Sequence, residues 1–146
     1  MMISVPKGAK GLPSGSAHGK QCHQATSLMD IYPTLIEHCG LTPKKEIAGE
    51  SLVPLLKNPD RKTGRGFITS HGRNNHAIRD ERWRYIRYAD GSEELYDHQS
   101  DPNEWTNVAD DPKHSQTKKR LAKFLPKINV PDAPNDKKKN KTRKRK

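Results

Sequence analysis

The stretch "RWRYIRYADGSEELYD", from Arg82 to Asp97, decides the fold class of this chain. Aromatic and aliphatic residues form a short run at each of its ends, and such runs are typical of half-buried strands. Asp90 and Gly91 lie between the runs and are typical of a tight turn that joins antiparallel strands. The stretch therefore predicts a β-hairpin. Two further strands are predicted before it, at "FITS" (67–70) and "HAIR" (76–79).

A helix is predicted before these strands. Its apolar residues recur at helical spacing and are Leu28, Ile31, Tyr32, Leu35, Ile36 and Cys39. Ser27 is a preferred N-cap residue, and Asp30, three residues later, completes a capping box. Gly40 supplies the left-handed conformation that ends a helix. Pro33 falls inside the pattern, so we expect a tight first turn and a regular helix that begins at or near the proline.

A second helix is predicted after the strands. Asp111 and Pro112 are suited to its N-cap and first turn, and Pro126 would end it. Its core-facing residues would be Leu121, Phe124 and Leu125. The predicted fold class is therefore α+β, a small antiparallel sheet flanked by an N-terminal and a C-terminal helix, with disordered ends.

The two ends of the chain differ from its middle. The net charge is +11 over 146 residues, but eight of these positive charges lie in "KKKNKTRKRK" (137–146), so residues 1–136 carry only +3. We expect a strand ("MMISVP") and a loop within 1–24, a folded module at 25–128 and a disordered basic tail at 129–146.

The hydrophobic content is low for a self-sufficient fold. Leu, Ile, Val and Phe total 24 of the 146 residues, below the roughly 20% typical of globular chains. We therefore expect a core that needs a further partner to complete it. No run approaches the ~20 apolar residues of a membrane span, and no apolar secretory signal stands at the start. Cys22 and Cys39 match no zinc spacing.

The acidic stretch "ELYDHQSDPNEWTN" (94–107) has two interpretations. Its clustered carboxylates could hold a cation, although the spacing does not match an EF-hand. The alternative is a turn in which Asp and Asn side chains bond their own backbone and Pro102 presets the geometry. We favour the turn, with Trp105 as an anchor that folds the loop onto the sheet.

The polar segment "SHGRNNHAIR" (70–79) is a candidate binding loop, since loops held by a sheet often carry binding groups. Arginines there could grip an oxyanion with paired donors, and the histidines could donate a hydrogen bond. The candidate substrate-binding residues are His71, Arg73, Asn75, His76 and Arg79. An ordinary polar loop explains the segment equally well.

Two further patterns bear on function. The basic-aromatic strand 82–88 and the lysine-rich tail could bind nucleic acid or another polyanion, although arginine stems on a half-buried strand and a solvated tail explain them as well. We find no Ser/His/Asp signature, no glycine-rich phosphate loop and no HExxH. The residues alone give a small α+β module with no complete catalytic set.

The order of three segments resembles a known family. The segments "ATSLMDIYPTLIEHCGL" (25–41), "AGESLVPLLKNP" (48–59) and "HAIRDERWRYIRYADGSEELYDHQSDPNEWTNVADDP" (76–112) are similar to the C-terminal part of bacterial sulfatases. The similarity is to the iduronate-2-sulfatase-like branch of the alkaline-phosphatase-like superfamily. D-I-Y-P-T-L and E-L-Y-D-x-x-x-D-P-x-E-x-x-N are its most specific strings, and the similarity covers about residues 1–128.

This resemblance implies a fold and a partner. The helix at 25–41 would pack on a large catalytic α/β sheet, and residues 1–24 would lead out of that missing or separate catalytic domain. The strands and last helix would form the C-terminal subdomain beside the active-site cleft. The D-P-x-E-x-x-N stretch would be a structural turn rather than a metal site.

The resemblance also implies what this chain does not carry. Family members hydrolyse sulfuric esters with a formylglycine made in a C/S-x-P-x-R motif and with calcium held by aspartates. Neither Cys22 nor Cys39 begins such a motif, so we expect no catalytic residue, metal ligand or cofactor on this chain and no activity from it alone. Sulfated sugars are the implied substrates. Relatives are usually periplasmic or secreted, which leaves this chain's compartment open; a membrane or nucleic-acid partner is not expected.

Overall fold

The computed structural model describes residues 3, 15–17 and 19–131. The chain divides into two compact units, which we call the helical unit (Met1–Phe67 and Arg79–Trp83) and the sheet unit (Ile68–Ile78 and Arg84–Lys146). The predicted strand at the start and most of the predicted tail lie outside the described residues. The domain boundaries therefore remain predictions.

The helical unit begins with the predicted capping box. The Ser27 hydroxyl accepts a hydrogen bond from the Met29 backbone N–H at 3.2 Å, and Asp30 Oδ2 accepts one from the Ser27 N–H at 2.9 Å. A 3₁₀ turn spans Leu28–Asp30 and leads into helix α1, Ile31–His38. Pro33 lies in the first turn of α1, where its missing N–H removes no helical hydrogen bond. The tight first turn and the capping box are confirmed.

The other end of α1 is also as predicted. Gly40 has a φ of 66°, and the Leu41 N–H bonds back to the Ile36 carbonyl at 3.0 Å. This left-handed glycine closes the helix because a side chain at that φ would be strained. A short helix α2, Val53–Lys57, follows after a loop.

The core of the helical unit surrounds a buried carboxylate. Asp30 is 0% exposed and accepts hydrogen bonds from the Glu50 N–H at 2.9 Å and from Arg65 Nη2 at 2.8 Å. The apolar residues buried in this unit are Ile36, Leu52, Val53, Leu55 and Trp83. Burial raises the pKa of Asp30, but the bonds from Arg65 and from two backbone N–H groups outweigh burial and hold that pKa below its ordinary value.

A four-stranded antiparallel sheet follows, in the order β1-β2-β3-β4. The strands are β1 Phe67–Ser70, β2 His76–Arg79, β3 Trp83–Arg87 and β4 Glu93–Asp97. The Asp90-Gly91 turn is confirmed by the Tyr88 N–H to Ser92 carbonyl bond at 3.0 Å and by the φ of 88° at Gly91. Each strand pairs with its neighbour in sequence, so local turns set the whole topology.

The inner face of the sheet unit carries its core. Ile78, Tyr85, Leu95 and Leu121 are almost fully buried there. Leu121 belongs to helix α3, Ser115–Ala122, which follows a 3₁₀ turn capped by the Asp111 side chain. The predicted start of the last helix at Asp111-Pro112 is therefore confirmed.

The predicted end of that helix is wrong. Helix α3 stops at Ala122, and Phe124 and Leu125 lie beyond it and are only half-buried. Pro126 has no N–H and disfavours a helical conformation at Leu125, so the chain leaves the helix before the proline. The last N–H groups bond three residues back instead, from Phe124 to Leu121 and from Leu125 to Ala122.

The predicted fold class is confirmed, since the described residues form a small antiparallel sheet with a few helices. Among the residues that the structure describes, no helix reaches the length and apolar character of a membrane span.

Candidate functional site

The loop between β1 and β2 is held in a defined conformation. The His71 N–H bonds to the Asn75 carbonyl at 3.0 Å, and Gly72 and Asn74 have left-handed φ values of 70° and 65°. The Asn75 side chain accepts from the Ala89 N–H at 3.0 Å and donates to the Arg73 carbonyl at 3.2 Å. The loop is thus tied both to itself and to the start of the β3–β4 turn.

A hydrogen-bonded line runs across the base of this loop. Ser70 Oγ lies 2.7 Å from His76 Nδ1, and His76 Nε2 lies 2.5 Å from Asn129 Oδ1. His76 is only 7% exposed, whereas Ser70 is exposed and Asn129 is half-buried. We call Ser70, His76 and Asn129 the serine–histidine–asparagine line. Asn129, which we expected to begin the disordered tail, is therefore tied to β2.

The candidate residues have different environments. His71 and Arg73 are exposed, and within the described part of the chain no hydrogen bond or ion pair is formed by either side chain. Asn75 and His76 are used in holding the loop. Arg79 is three residues after His76 on the same strand, and strand alternation places the two side chains on opposite faces of the sheet. Arg79 therefore does not join the loop cluster, and the role of these residues remains a prediction.

The acidic stretch forms a turn. Asp101 Oδ2 accepts from the Thr106 N–H at 2.8 Å, and Glu104 has a left-handed φ of 59°. Asp101 has a lowered pKa because backbone N–H groups, first that of Thr106, stabilise its charged form. Glu104 is engaged by Arg84 Nη1 at 2.8 Å and by His98 Nε2 at 2.6 Å. These carboxylates serve the turn and its ion pairs, as the turn interpretation predicts.

The predicted role of Trp105 is wrong. Its side chain is 83% exposed and does not anchor the loop. Asn107 does so instead: its Oδ1 accepts from the N–H groups of Leu95 at 3.0 Å and Ala109 at 2.9 Å. A polar side chain that satisfies strand-end backbone groups fixes the loop without burying an aromatic ring.

The residues present do not fit the cofactors of the family. Across the described residues no group of three or more His, Cys, Asp or Glu could hold a metal ion. No Cys or Ser of the 146-residue sequence begins an x-P-x-R motif.

The helical unit presents an exposed apolar surface. Its members are large apolar side chains of the first helix and its flanks, namely Leu28, Met29, Ile31, Tyr32, Leu35 and Leu41. Leu28 is 83% exposed and Leu35 is 53% exposed. We call this set the first-helix apolar surface. Leu28, Ile31, Tyr32 and Leu35 have the spacing of one helix face, and an exposed apolar face of this kind often marks an interaction site.

Sequence reasoning missed Ser70 and Asn129. Ser70 could have been found, because a strand-to-strand loop of five residues places it directly across from His76. Asn129 gave no signal, since its contact with His76 joins residues 53 apart.

Comparisons with known proteins agree with this fold. The family model for the C-terminal part of N-sulphoglucosamine sulphohydrolase matches residues 9–130. A sulfatase of Formosa agariphila is 40% identical over 112 residues, covering 77% of this chain and 22% of the relative. A Δ4,5-hexuronate-2-O-sulfatase of Bacteroides thetaiotaomicron is 34% identical over 97 residues, covering 60% of this chain and 20% of the relative.

A solved structure supports the same architecture. It is an enzyme in complex with its substrate D-glucosamine-2-N,6-O-disulfate, and it superposes with a TM-score of 0.56 at 22% identity over 80% of this chain and 25% of that one. At this identity the likeness shows the fold alone. The chain spans about a fifth of the length of the curated relatives that it matches. It belongs to the N-sulphoglucosamine sulphohydrolase C-terminal family.

Proposed function

We propose that this chain is the C-terminal subdomain of a sulfatase that hydrolyses sulfuric esters of sugars, and that it acts only when docked on a catalytic domain. The catalytic domain supplies the nucleophile and the calcium. The present chain supplies part of the wall around the substrate, through the β1–β2 loop.

The first-helix apolar surface carries this proposal. Leu28 and Leu35 are exposed together with four other large apolar side chains of this surface, and exposed apolar patches often mark docking sites. The family model matches a C-terminal part, and the matched relatives are about five times longer than the aligned chain. A neighbouring domain with a complementary apolar surface is the occupant that these facts support.

The strength of docking follows from the exposed area. Full burial of a leucine side chain contributes about 1.5–3 kcal/mol. Leu28 and Leu35 together expose somewhat more than one leucine side chain, so burying both contributes about 2–4 kcal/mol. Replacing both with serine should weaken docking about 30- to 1,000-fold in Kd.

Complementation tests the proposal. The catalytic part of the Formosa agariphila relative, expressed without its own C-terminal part, is mixed with this chain, and hydrolysis of an aryl sulfate is followed. We expect no turnover by this chain alone and turnover by the mixture. The variant carrying Leu28→Ser and Leu35→Ser should fail to restore activity. Glu37→Ser is the matched control, because Glu37 is exposed on the same helix but is not apolar.

Two results would contradict the proposal. Turnover by this chain alone would show that it carries a catalytic site of its own. Equal docking of the double-serine variant and the unchanged chain would show that the first-helix apolar surface has no role in the association.

The substrate class rests on chemistry and on the relatives. Arg73 and His71 present a guanidinium and an imidazole to solvent on a fixed loop, and guanidinium groups bind sulfate with paired donors. One relative acts on a 2-O-sulfated hexuronate, and the solved structure holds a disulfated glucosamine. Sulfated sugars are thus the proposed substrates, with His71 and Arg73 as their contacts; Asn75 and His76 position the loop.

A further inference from the structure

The direction of the proton on His76 follows from its partners. The atom of Asn129 that faces the ring is Oδ1, which can only accept a hydrogen bond. The tautomer with its hydrogen on His76 Nε2 is the one that satisfies this contact. In the neutral ring, Nδ1 is then the acceptor, and the only hydrogen available for the 2.7 Å contact is that of the Ser70 hydroxyl.

This arrangement determines whether Ser70 donates or accepts a hydrogen bond with a ligand. Its hydrogen points inward to His76, so the free lone pairs of Oγ face the solvent at the base of the loop. We propose that the serine–histidine–asparagine line makes Ser70 a hydrogen-bond acceptor for a sugar hydroxyl. His76 and Asn129 are positioning residues that hold this polarity.

The burial pattern suits such a role. His76 is 7% exposed, and both of its ring nitrogens are engaged, one by Ser70 and one by Asn129. Ser70 is exposed and immediately precedes His71, with Arg73 three residues on. One short segment thus offers an acceptor for a hydroxyl and donors for a sulfate, which matches the two kinds of group on a sulfated sugar.

The inference rests on the proposed function, because it assigns a ligand to the same loop. It goes further in naming the hydroxyl recognised by Ser70 as separate from the sulfate recognised by Arg73. The two contacts can be measured independently on the full 146-residue chain.

The tautomer is the first measurement. The ring nitrogens of His76 are assigned by nitrogen-15 NMR in the unchanged chain at a pH where the ring is neutral. We expect the pattern of hydrogen on Nε2. Asn129→Leu should remove this preference, whereas Asn129→Asp keeps an acceptor at the same place and should preserve it.

Ligand binding is the second measurement, followed by NMR titration with D-glucosamine-2-N,6-O-disulfate, with glucosamine and with inorganic sulfate. Ser70→Ala should weaken binding of both sugars about 2- to 10-fold, the loss of one neutral hydrogen bond, and should leave sulfate binding unchanged. Ser70→Thr keeps the hydroxyl and should restore affinity. Arg73→Gln should weaken the binding of D-glucosamine-2-N,6-O-disulfate and of inorganic sulfate and should leave the binding of glucosamine unchanged.

The proposed role differs from a purely structural role of the serine–histidine–asparagine line in how the two variants combine. In our proposal Asn129→Leu weakens sugar binding as Ser70→Ala does and adds nothing in a Ser70→Ala background, because both act on one hydrogen bond. A neutral ring with hydrogen on Nδ1, sugar binding unaffected by Ser70→Ala, or no sugar-induced shift within residues 68–78 would each overturn the inference.

These failures are distinct from failure of the proposed function. A chain that docks on the catalytic part and restores turnover, yet shows none of the Ser70 effects, would leave the proposed function standing. A chain that binds sugar through Ser70 but never docks on the catalytic part would support the Ser70 inference and contradict the proposed function.

Discussion

Replacing Asp30 with asparagine should destabilise the helical unit strongly. Asp30 is fully buried, and its two oxygens accept four hydrogen bonds, two from Arg65 and one each from the N–H groups of Ser27 and Glu50. The change keeps the size of the side chain but removes its charge. Arg65, which is only 18% exposed, then loses its bidentate partner.

The expected loss of unfolding free energy follows from the typical cost of breaking a buried ion pair. Removing one partner of a buried ion pair costs about 3–5 kcal/mol, because the other charge stays buried and unpaired. Glu50 lies 3.5 Å from Arg65 Nε and compensates in part, so we expect about 3 kcal/mol, at the lower end. That is a large share of the roughly 5–15 kcal/mol that stabilises a domain.

Urea unfolding of the full chain measures this cost. Trp83 is buried in the helical unit and should report its unfolding by fluorescence. Glu50→Gln is the control, since that carboxylate is mostly exposed and a surface ion pair contributes about 0–1 kcal/mol. A loss below about 1 kcal/mol for Asp30→Asn, relative to the 3 kcal/mol expected, would refute the argument that a buried charge pair organises this unit.

The pH dependence gives a second check on Asp30. Its pKa in the folded chain is lowered from an ordinary value of 3.8. A lowered carboxyl pKa contributes stability above the ordinary pKa, and that stability is lost as the pH falls through the lower folded value. The difference in unfolding free energy between the unchanged chain and Asp30→Asn should therefore shrink below about pH 4. A constant difference down to pH 2 would contradict this assignment.

Three further predictions test other parts of the structure. Gly49→Ala should lower the free energy of unfolding by more than about 1 kcal/mol, because a Cβ there would overlap the Met29 carbonyl oxygen; an unchanged urea midpoint would contradict this. Tyr85→Phe should cost about 1 kcal/mol, since Tyr85 is buried and donates to Glu93. Burial and that bond raise the pKa of Tyr85 to about 12. In an ultraviolet titration, the tyrosine step at the highest pH should therefore be missing from Tyr85→Phe. Loss of a step at lower pH would refute the assignment. Any salt-sensitive binding of the chain to a nucleic acid should disappear when 137–146 are deleted, because eight of the positive charges lie there; binding that survives the deletion would place it on the basic-aromatic strand 82–88.

Local chemistry explains which elements the sequence predicted correctly. The capping box at Ser27, the left-handed Gly40 and the Asp90-Gly91 turn each depend on residues within a few positions of one another. Such short-range constraints act in the unfolded chain as well as in the folded one, so the pattern alone reveals them. The bounds of β1 and β2 matched for the same reason.

Long-range contacts explain what the sequence left open. Nothing local distinguishes the buried Asp30, whose partner Arg65 lies 35 residues away, from an ordinary capping carboxylate. Trp105 was expected to be buried because it is large and apolar, yet Asn107 fixes that loop through backbone hydrogen bonds. A hydrophobic side chain can stay exposed wherever polar groups satisfy the backbone first.

The sequence likewise predicted one part of the candidate site and left another part open. The sequence identified the polar loop and its residues His71 and Arg73, because polar residues between two strands must lie at the surface. The sequence could not show whether the Ser70 hydroxyl accepts a hydrogen bond from a ligand, since that depends on His76 and, through His76, on the distant residue Asn129.

By itself, the sequence determined the hairpins, the helix ends and the likeness to a sulfatase C-terminal part, because these depend on neighbouring residues and on ordered strings. Only the tertiary structure decided that Asp30 is a buried ion-pair partner, that the first-helix apolar surface stays uncovered and that His76 joins Ser70 to Asn129. The physical reason is that burial and hydrogen-bond direction are set by residues brought together from distant positions, which no local pattern encodes.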